Sequence, residues 1–345
     1  MSAAAPLPVA ILGASGFVGA ELLRLLAGHP RLAATRLFAD SQAGARVADV
    51  HPHLALAYPD AVFEDMSSLA GGVRVSHLAG CRLVFAALPH GQSQKIAGAI
   101  LAAGAKFVDL GADFRLDDAA AYQSWYGEPH AAPELLGRFV YGIPELNRER
   151  IAGAGAVAAA GCYPTAAILA LKPLLDLIDP ETIVVDAASG VSGAGKGLRE
   201  STHFNAVDEN VGAYGLLDHR HTAEMEMALG GNVLFTPHLA PMNRGIHATC
   251  TARAKGPCDP LAALAQAYEN EPFICVSERP PATKWALGSN AVHLTARYDA
   301  RTGRVLALAA LDNLVKGAAG QMIQCANLML GLDEAAGLPV AGVWP

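Results

Sequence analysis

The chain contains no uninterrupted apolar run of the ~18 residues that a membrane span requires, and its N-terminus lacks the basic region and long apolar core of a secretion signal. Both absences point to a cytoplasmic protein. Its six cysteines, Cys81, Cys162, Cys250, Cys258, Cys275 and Cys325, include no C-x-x-C pair and no metal-finger spacing. No metal site is expected, and in a reducing compartment all six should be free thiols. Charge is sparse, 17% against 52% apolar residues, and a formal net charge of −7 offers no clustered basic face for nucleic acid. The apolar content also excludes disorder. There is no internal repeat and no low-complexity segment beyond general alanine richness. What remains is the composition of a soluble enzyme, and 345 residues exceed one compact core and suggest two domains.

One stretch, Gly161-Cys162-Tyr163-Pro164-Thr165-Ala166, carries the most chemistry. The alanine-rich run Ala156 to Ala160 reads as a strand entering a turn, and Ala166 to Leu175 as the helix leaving it. Pro164 suits a first helical turn, where its missing N–H costs nothing. A cysteine at such a helix start meets the positive end of the dipole, which favours the nucleophilic thiolate. Most free cysteines are only small buried hydrophobes, so Cys162 needs support from the rest of the chain.

That support begins at the N-terminus. Val9 to Leu12 is a short apolar strand, followed by Gly13-Ala14-Ser15-Gly16-Phe17-Val18-Gly19 and a helix whose apolar face is Val18, Leu22, Leu25 and Leu26. Glycines at a strand-to-helix turn let backbone N–H groups approach a pyrophosphate seated on the helix dipole. The spacing is G-x-x-G-x-x-G, so the usual dinucleotide fingerprint is only partly met. Over the first ~150 residues apolar strands alternate with helical stretches, the pattern of a parallel, doubly wound sheet. Leu83 to Leu88 ends at Pro89-His90-Gly91, and Lys106 to Leu110 at Gly111-Ala112-Asp113; loops in these positions bind ligands. After Cys162 longer strands dominate: Thr182 to Ala188, Val233 to Thr236, Ile246 to Ala252, Ala291 to Tyr298 and Arg304 to Leu311. They predict a second, largely antiparallel domain. Asn313 to Leu330 reads as a helix returning to the first.

These residues resemble the N-acetyl-gamma-glutamyl-phosphate reductases, arginine-pathway relatives of aspartate-semialdehyde dehydrogenase. The resemblance covers nearly the whole chain. It rests on Gly13-Ala14-Ser15-Gly16, His51-Pro52-His53-Leu54, Ala87-Leu88-Pro89-His90-Gly91, Asp113-Phe114-Arg115-Leu116, Tyr141-Gly142-Ile143-Pro144-Glu145 and the Cys162 motif. It continues through Ser189-Gly190-Val191-Ser192-Gly193-Ala194-Gly195, His219-Arg220-His221 and the run from Asp312 to Gln321. Ala160 and Phe17 depart from the family's usual proline and tyrosine, a difference of local packing. The implied fold is α/β: a Rossmann-type, doubly wound parallel sheet plus an α+β catalytic and dimerisation domain. The expected domains are 1–155, rejoined by 313–345, for dinucleotide binding, and 156–312 for catalysis and oligomerisation.

The implied reaction reduces an acyl phosphate. Cys162 attacks, phosphate leaves, and the thioester accepts hydride from the nicotinamide before collapsing to the aldehyde. A proton carrier with a pKa near neutrality suits that collapse. His219 and His221 are the candidates, on a helix that Asp218 is expected to cap. Two residues apart, they should point different ways. His219 is therefore assigned to acid/base chemistry and His221 to substrate binding. Arg115, whose guanidinium can pair phosphate oxygens bidentately, is expected on the phosphate, with Lys196 and Arg244 as further cations for substrate. The resemblance implies that Gly13, Ser15, Gly16, Phe17, Val18, Ser41, Leu88, Pro89, Ser189, Gly190 and Asn313 hold the cofactor. Asp40 stands where an acidic residue would favour NAD, whereas Ser41 stands where the family meets the 2′-phosphate of NADP, in a segment that also carries Arg36 and Arg46. NADP is the expected cofactor, a homodimer or homotetramer the expected assembly. Two alternatives stay open: a paralogue acting on aspartyl or carrier-linked aminoadipyl phosphate, and a catalytically silent nucleotide sensor.

Overall fold

The computed structural model describes residues 5–69, 78 and 80–344. The chain divides into two compact units, Met1–Ala160 with Ala318–Leu338, and Gly161–Gly317 with Pro339–Pro345. Among the described residues, the first unit holds strands β1 (Leu7–Leu12), β2 (Leu32–Ala39), β3 (Glu64–Asp65), β4 (Leu83–Ala86), β5 (Lys106–Asp109), β6 (Phe139–Gly142) and β7 (Ala156–Ala159). They form one parallel sheet in the order β3-β2-β1-β4-β5-β7-β6. Val9 to Leu12, β4 and β7 are buried on both faces, which is why they read as unbroken apolar runs rather than alternating ones. The chain leaves β1 to one side for β2 and β3 and returns on the other for β4 and β5. That reversal is the topological switch at which such sheets take ligands. The helix Gly320–Met329 packs on β5, β6 and β7.

The second unit holds β8 (Ile183–Gly190), β9 (Gly212–Ala213), β10 (Val233–Ala240), β11 (Ile246–Arg253), β12 (Ile274–Val276), β13 (Val292–Asp299) and β14 (Arg304–Leu311), in the order β12-β13-β14-β11-β8-β10-β9. This sheet is mixed. β8 with β10 and β12 with β13 are parallel, and the other neighbours antiparallel. Four of the six neighbouring pairs are antiparallel, in keeping with a largely antiparallel sheet, and the helix His221–Leu229 between β8 and β10 is the crossover that returns the chain in the same direction and makes that pair parallel. In β11, Ile246, Ala248, Cys250 and Ala252 are buried while His247, Thr249 and Thr251 are half-buried, so only one face is fully covered. The covering element includes the helix Cys162–Leu171, packed on β11, β13 and β14. It is apolar nearly all round, and every residue from Tyr163 to Leu171 is buried.

The break between units falls after residue 160 rather than 155, because β7 pairs with β5 and β6 and completes the first sheet. The tail also differs from a simple return. Residues 339–344 belong to the second unit, where the Pro339 carbonyl accepts the Asn290 N–H and the Val343 N–H donates to Leu287. No helix among the described residues is long and apolar enough to cross a membrane, and no group of three or more His, Cys, Asp or Glu side chains there could hold a metal ion.

Candidate active site

In the first unit the glycine turn joins β1 to the helix Phe17–Ala27. Gly13 has a φ of 80°, and a Cβ there would lie 2.4 Å from the Ala87 carbonyl oxygen, so no other residue fits. A Cβ at Gly16 would meet nothing nearer than the Gly13 oxygen at 3.5 Å. The mouth of the helix is therefore open to an anion, as a dinucleotide's pyrophosphate requires. Ser15, Gly16 and Val18 are half-buried and Phe17 is exposed around this mouth, and Leu88 lies against Gly13. His51, buried, sets its Nε2 3.2 Å from the Ala14 carbonyl and braces the turn from outside. The sequence offered His51 only as part of a motif.

Pro89 is exposed at the head of the next loop, which two buried carboxylates fasten. Asp113 accepts the N–H groups of Gly91 at 2.7 Å and Gln94 at 3.0 Å. Asp109 accepts the Ser93 hydroxyl at 2.7 Å, and burial raises its carboxyl pKa to about 7. Arg115 is 7% exposed and donates from Nη2 to the Leu110 carbonyl at 2.7 Å. Ser41 and Asp40 are both exposed in the turn after β2. The two arginines near them in sequence are committed elsewhere, Arg36 to Glu64 and Arg46 to Asp49. Arg36 sits within β2, short of the strand end, so its guanidinium reaches across to β3.

In the second unit, the helix that bears the thiol starts at Cys162 itself, four residues before the start read from the sequence. Gly161 is the extended N-cap, with φ −65° and ψ 157°, and Pro164 lies in the first turn. Two bonds pin this start: the Gly161 N–H donates to Glu224 Oε2 at 2.9 Å, and the Thr165 hydroxyl donates to the Gly161 carbonyl at 2.8 Å. Glu224 is fully buried, and its other oxygen lies 3.8 Å from His221 Nε2.

Around Tyr163 the structure gathers a cluster. Its hydroxyl donates to the His238 carbonyl at 3.0 Å and accepts from Tyr214 at 3.2 Å. The rings of His219 and His221 stand edge-on to Tyr163 with centroids 5.8 and 5.9 Å away, and 4.8 Å from each other. Burial pushes the Tyr214 phenol up to about 12 and Tyr163 further still, so both act as neutral hydroxyls. On the Tyr163 phenol, the nearby Cys162 charge adds to the upward shift and a side-chain hydrogen bond with Ser189 opposes it. The wall thus runs from Ser189 through the tyrosines and histidines to Glu224.

The helix after His219 corrects the sequence reading. It starts at His221, and its N-cap is Arg220, without a side-chain cap bond. Asp218 does not cap it. Gly215 at φ 54° and Leu217 at φ 67° turn the chain early, and His219 Nδ1 accepts the His221 N–H at 3.2 Å instead. His219 therefore lies outside the helix, and the argument that the two rings diverge on a helical face fails. Because Nδ1 accepts, neutral His219 carries its proton on Nε2. Burial, reinforced by the Arg220 charge and opposed by Asp218, lowers its pKa to about 4.

Beside this wall Ser189 is buried and Gly190 donates its N–H to the Gly245 carbonyl at 2.9 Å. Asn313 Oδ1 accepts the Gly245 N–H at 2.8 Å and its Nδ2 donates to the Ser192 hydroxyl at 3.0 Å. Arg244 Nη1 lies 3.4 Å from buried Asp312. Lys196, by contrast, is in an exposed loop. The sequence reading had Asp312 only as part of a motif and passed over Tyr214 and the burial of Glu224.

A turn open to an anion at a parallel-sheet switch point, and a cysteine at a helix start next to a tyrosine that two histidine rings and a second tyrosine surround, are features that suit an aldehyde-level oxidoreductase. Family comparisons agree: the NAD-binding domain of semialdehyde dehydrogenases matches residues 8–154, and their dimerisation domain residues 162–313. The chain belongs to the semialdehyde dehydrogenase family. It is 48% identical to the N-acetyl-gamma-glutamyl-phosphate reductase of Desulforudis audaxviator over 98% of this chain and 99% of that one. The enzyme of the same name from Symbiobacterium thermophilum is 47% identical with the same coverage. Among solved structures, aspartate semialdehyde dehydrogenase II from Vibrio cholerae superposes with a TM-score of 0.71 over 95% of this chain and 99% of that one, at 19% identity, a likeness of fold.

Proposed function

We propose that this chain is an NADPH-dependent reductase of N-acetyl-L-glutamyl 5-phosphate, releasing phosphate and N-acetyl-L-glutamate 5-semialdehyde in arginine biosynthesis. The observation that carries this reading is the 48% identity, along nearly the full length, to a reductase of that name. The placement of Cys162 at a helix start, next to Tyr163 whose ring meets His219 and His221, supports it.

Cys162 is the nucleophile. In place of the substrate-binding role read from the sequence, His221, backed by Glu224, takes the thiol proton as the S–C bond to the acyl carbon forms, and the C–O bond to phosphate breaks. The proton passes to the departing phosphate. His219, neutral with its proton on Nε2, donates a hydrogen bond to the carbonyl oxygen as negative charge develops there. When bound, the nicotinamide supplies the hydride to the thioester carbon. The tetrahedral oxyanion held by His219 then collapses, expelling the Cys162 thiolate and releasing aldehyde, and solvent reprotonates the thiol. Gly13, Ser15, Gly16, Phe17 and Val18 hold the pyrophosphate, with Leu88 and Pro89 beside it; Ser189, Gly190 and Asn313 hold the nicotinamide end. Ser41 meets the 2′-phosphate, and its exposure at the end of β2 leaves room for that group. Arg115 serves the substrate phosphate, Lys196 and Arg244 its other anionic groups.

The working form is a homo-oligomer in the cytoplasm. The half-buried face of the second sheet, with Thr249, Thr251 and exposed Leu234 and Leu306, is the surface for a second copy. The dimerisation-domain match over residues 162–313 supports that choice.

The testing assay runs backwards, with phosphate, either NADP or NAD, and a panel of semialdehydes. N-acetyl-L-glutamate 5-semialdehyde with NADP should give the highest kcat/KM, and no turnover should occur without phosphate. Preference for aspartate semialdehyde, or turnover independent of phosphate, would overturn the assignment.

A further inference from the structure

Gly317 lies in the π-helical turn Val315–Ala319. Its backbone is not in the left-handed region, so conformational freedom does not explain a glycine here. Close approach does. A Cβ on Gly317 would lie 2.7 Å from the Cβ of Cys162, 3.3 Å from its Cα and 3.4 Å from the Asp312 carbonyl oxygen. The nearest of these is about 0.7 Å inside ordinary van der Waals contact.

Neither wall of this contact can yield cheaply. On one side, Asp312 Oδ1 accepts the N–H groups of Leu314 at 2.8 Å and Val315 at 3.2 Å, Oδ2 accepts the Gly288 N–H at 2.7 Å, and the Gly317 N–H donates to the Asp312 carbonyl at 2.9 Å. Asp312 is fully buried, so these bonds are shielded from water. On the other, the Cys162 helix start is held by Glu224 through Gly161 and by Thr165. A methyl group inserted between two pinned segments must displace the residue at the contact, and that residue is Cys162. Single π-turns within helices recur at functional sites, and here the turn lays its one side-chain-free position against the cysteine.

We propose that Gly317 is a positioning residue for the nucleophile: its missing side chain seats Cys162 against the turn anchored by Asp312 and so sets where the thiol stands. This rests on Cys162 being the nucleophile. A displacement of ~1 Å at a reacting group can cost about 10²-fold in rate.

The test is Gly317→Ala, read by reductive turnover and by the rate of Cys162 alkylation with iodoacetamide across pH, followed by peptide mass spectrometry. We expect kcat to fall about 10²-fold with KM little changed, and the Cys162 alkylation profile to change in rate or midpoint. Unchanged kcat, or lost turnover with an unchanged alkylation profile, overturns the proposal. Should Gly317→Ala not fold, Cys162→Gly combined with Gly317→Ala must fold and melt close to Cys162→Gly alone, because the clash has lost its partner. Failure of that double variant overturns the proposal equally. The alkylation arm reads geometry without any reductase activity. Turnover retained by Cys162→Ser would sink the proposed function while leaving that readout intact.

Discussion

His219→Asn should make the protein less sensitive to acid. His219 has a pKa of about 4 in the folded chain against 6.5 when unfolded. Between those values the unfolded chain binds a proton at this site and the folded chain does not, so stability falls as pH falls. Above about pH 7 both states are neutral there and the site contributes nothing. At about pH 5 the linkage costs about 2 kcal/mol, approaching its full value near pH 4. For a unit of this size that corresponds to about 4–8 °C in melting temperature. The other imidazoles lowered by burial, His29, His247 and His293, titrate in both proteins and cancel in the comparison. Melting both proteins by calorimetry at about pH 7.5 and about pH 5 isolates the site. The wild type should lose the extra 4–8 °C or so. Equal losses would refute the claim that His219 is held neutral, and with it the Nε2–H donor role.

Ser41→Asp should weaken NADPH far more than NADH, since it sets a like charge against the 2′-phosphate; equal losses, measured by fluorescence titration, would show that this turn does not read that position. Glu224→Ala should cost about 1–3 kcal/mol by leaving the Gly161 N–H without its acceptor, and Glu224→Gln, which keeps an oxygen there, should cost less. Equal destabilisation in urea unfolding would contradict the capping role.

Much of this site was legible in the sequence, for identifiable reasons. The strand that enters the glycine turn is buried on both faces from Val9 to Leu12, and a proline in a first helical turn marked where Cys162 would stand. What stayed hidden depended on contacts distant in sequence. Glu224 looks like any polar residue on a helix, yet it is fully buried because the Gly161 N–H, 63 residues away in sequence, needs an acceptor. Tyr214 lies 51 residues from Tyr163, with no motif to join them. Asp218 was a reasonable cap by composition, but a leucine at φ 67° is not predictable from its type, and that turn moved the helix start to His221. Arg36 and Arg46 could be counted as charges near Ser41, but not as charges already paired with Glu64 and Asp49. The π-turn at 315–319 reads as ordinary helix until the Asp312 carboxylate is seen holding its first N–H groups.

The covalent step is the centre of the account, and one measurement addresses it directly. Enzyme mixed with N-acetyl-L-glutamyl 5-phosphate in the absence of NADPH should release phosphate once per active site and gain the mass of the acyl group. Peptide mapping should place that mass on Cys162 alone, and Cys162→Ser should gain none. An unchanged mass, or acylation at Cys258, Cys275 or any other cysteine, would contradict the mechanism.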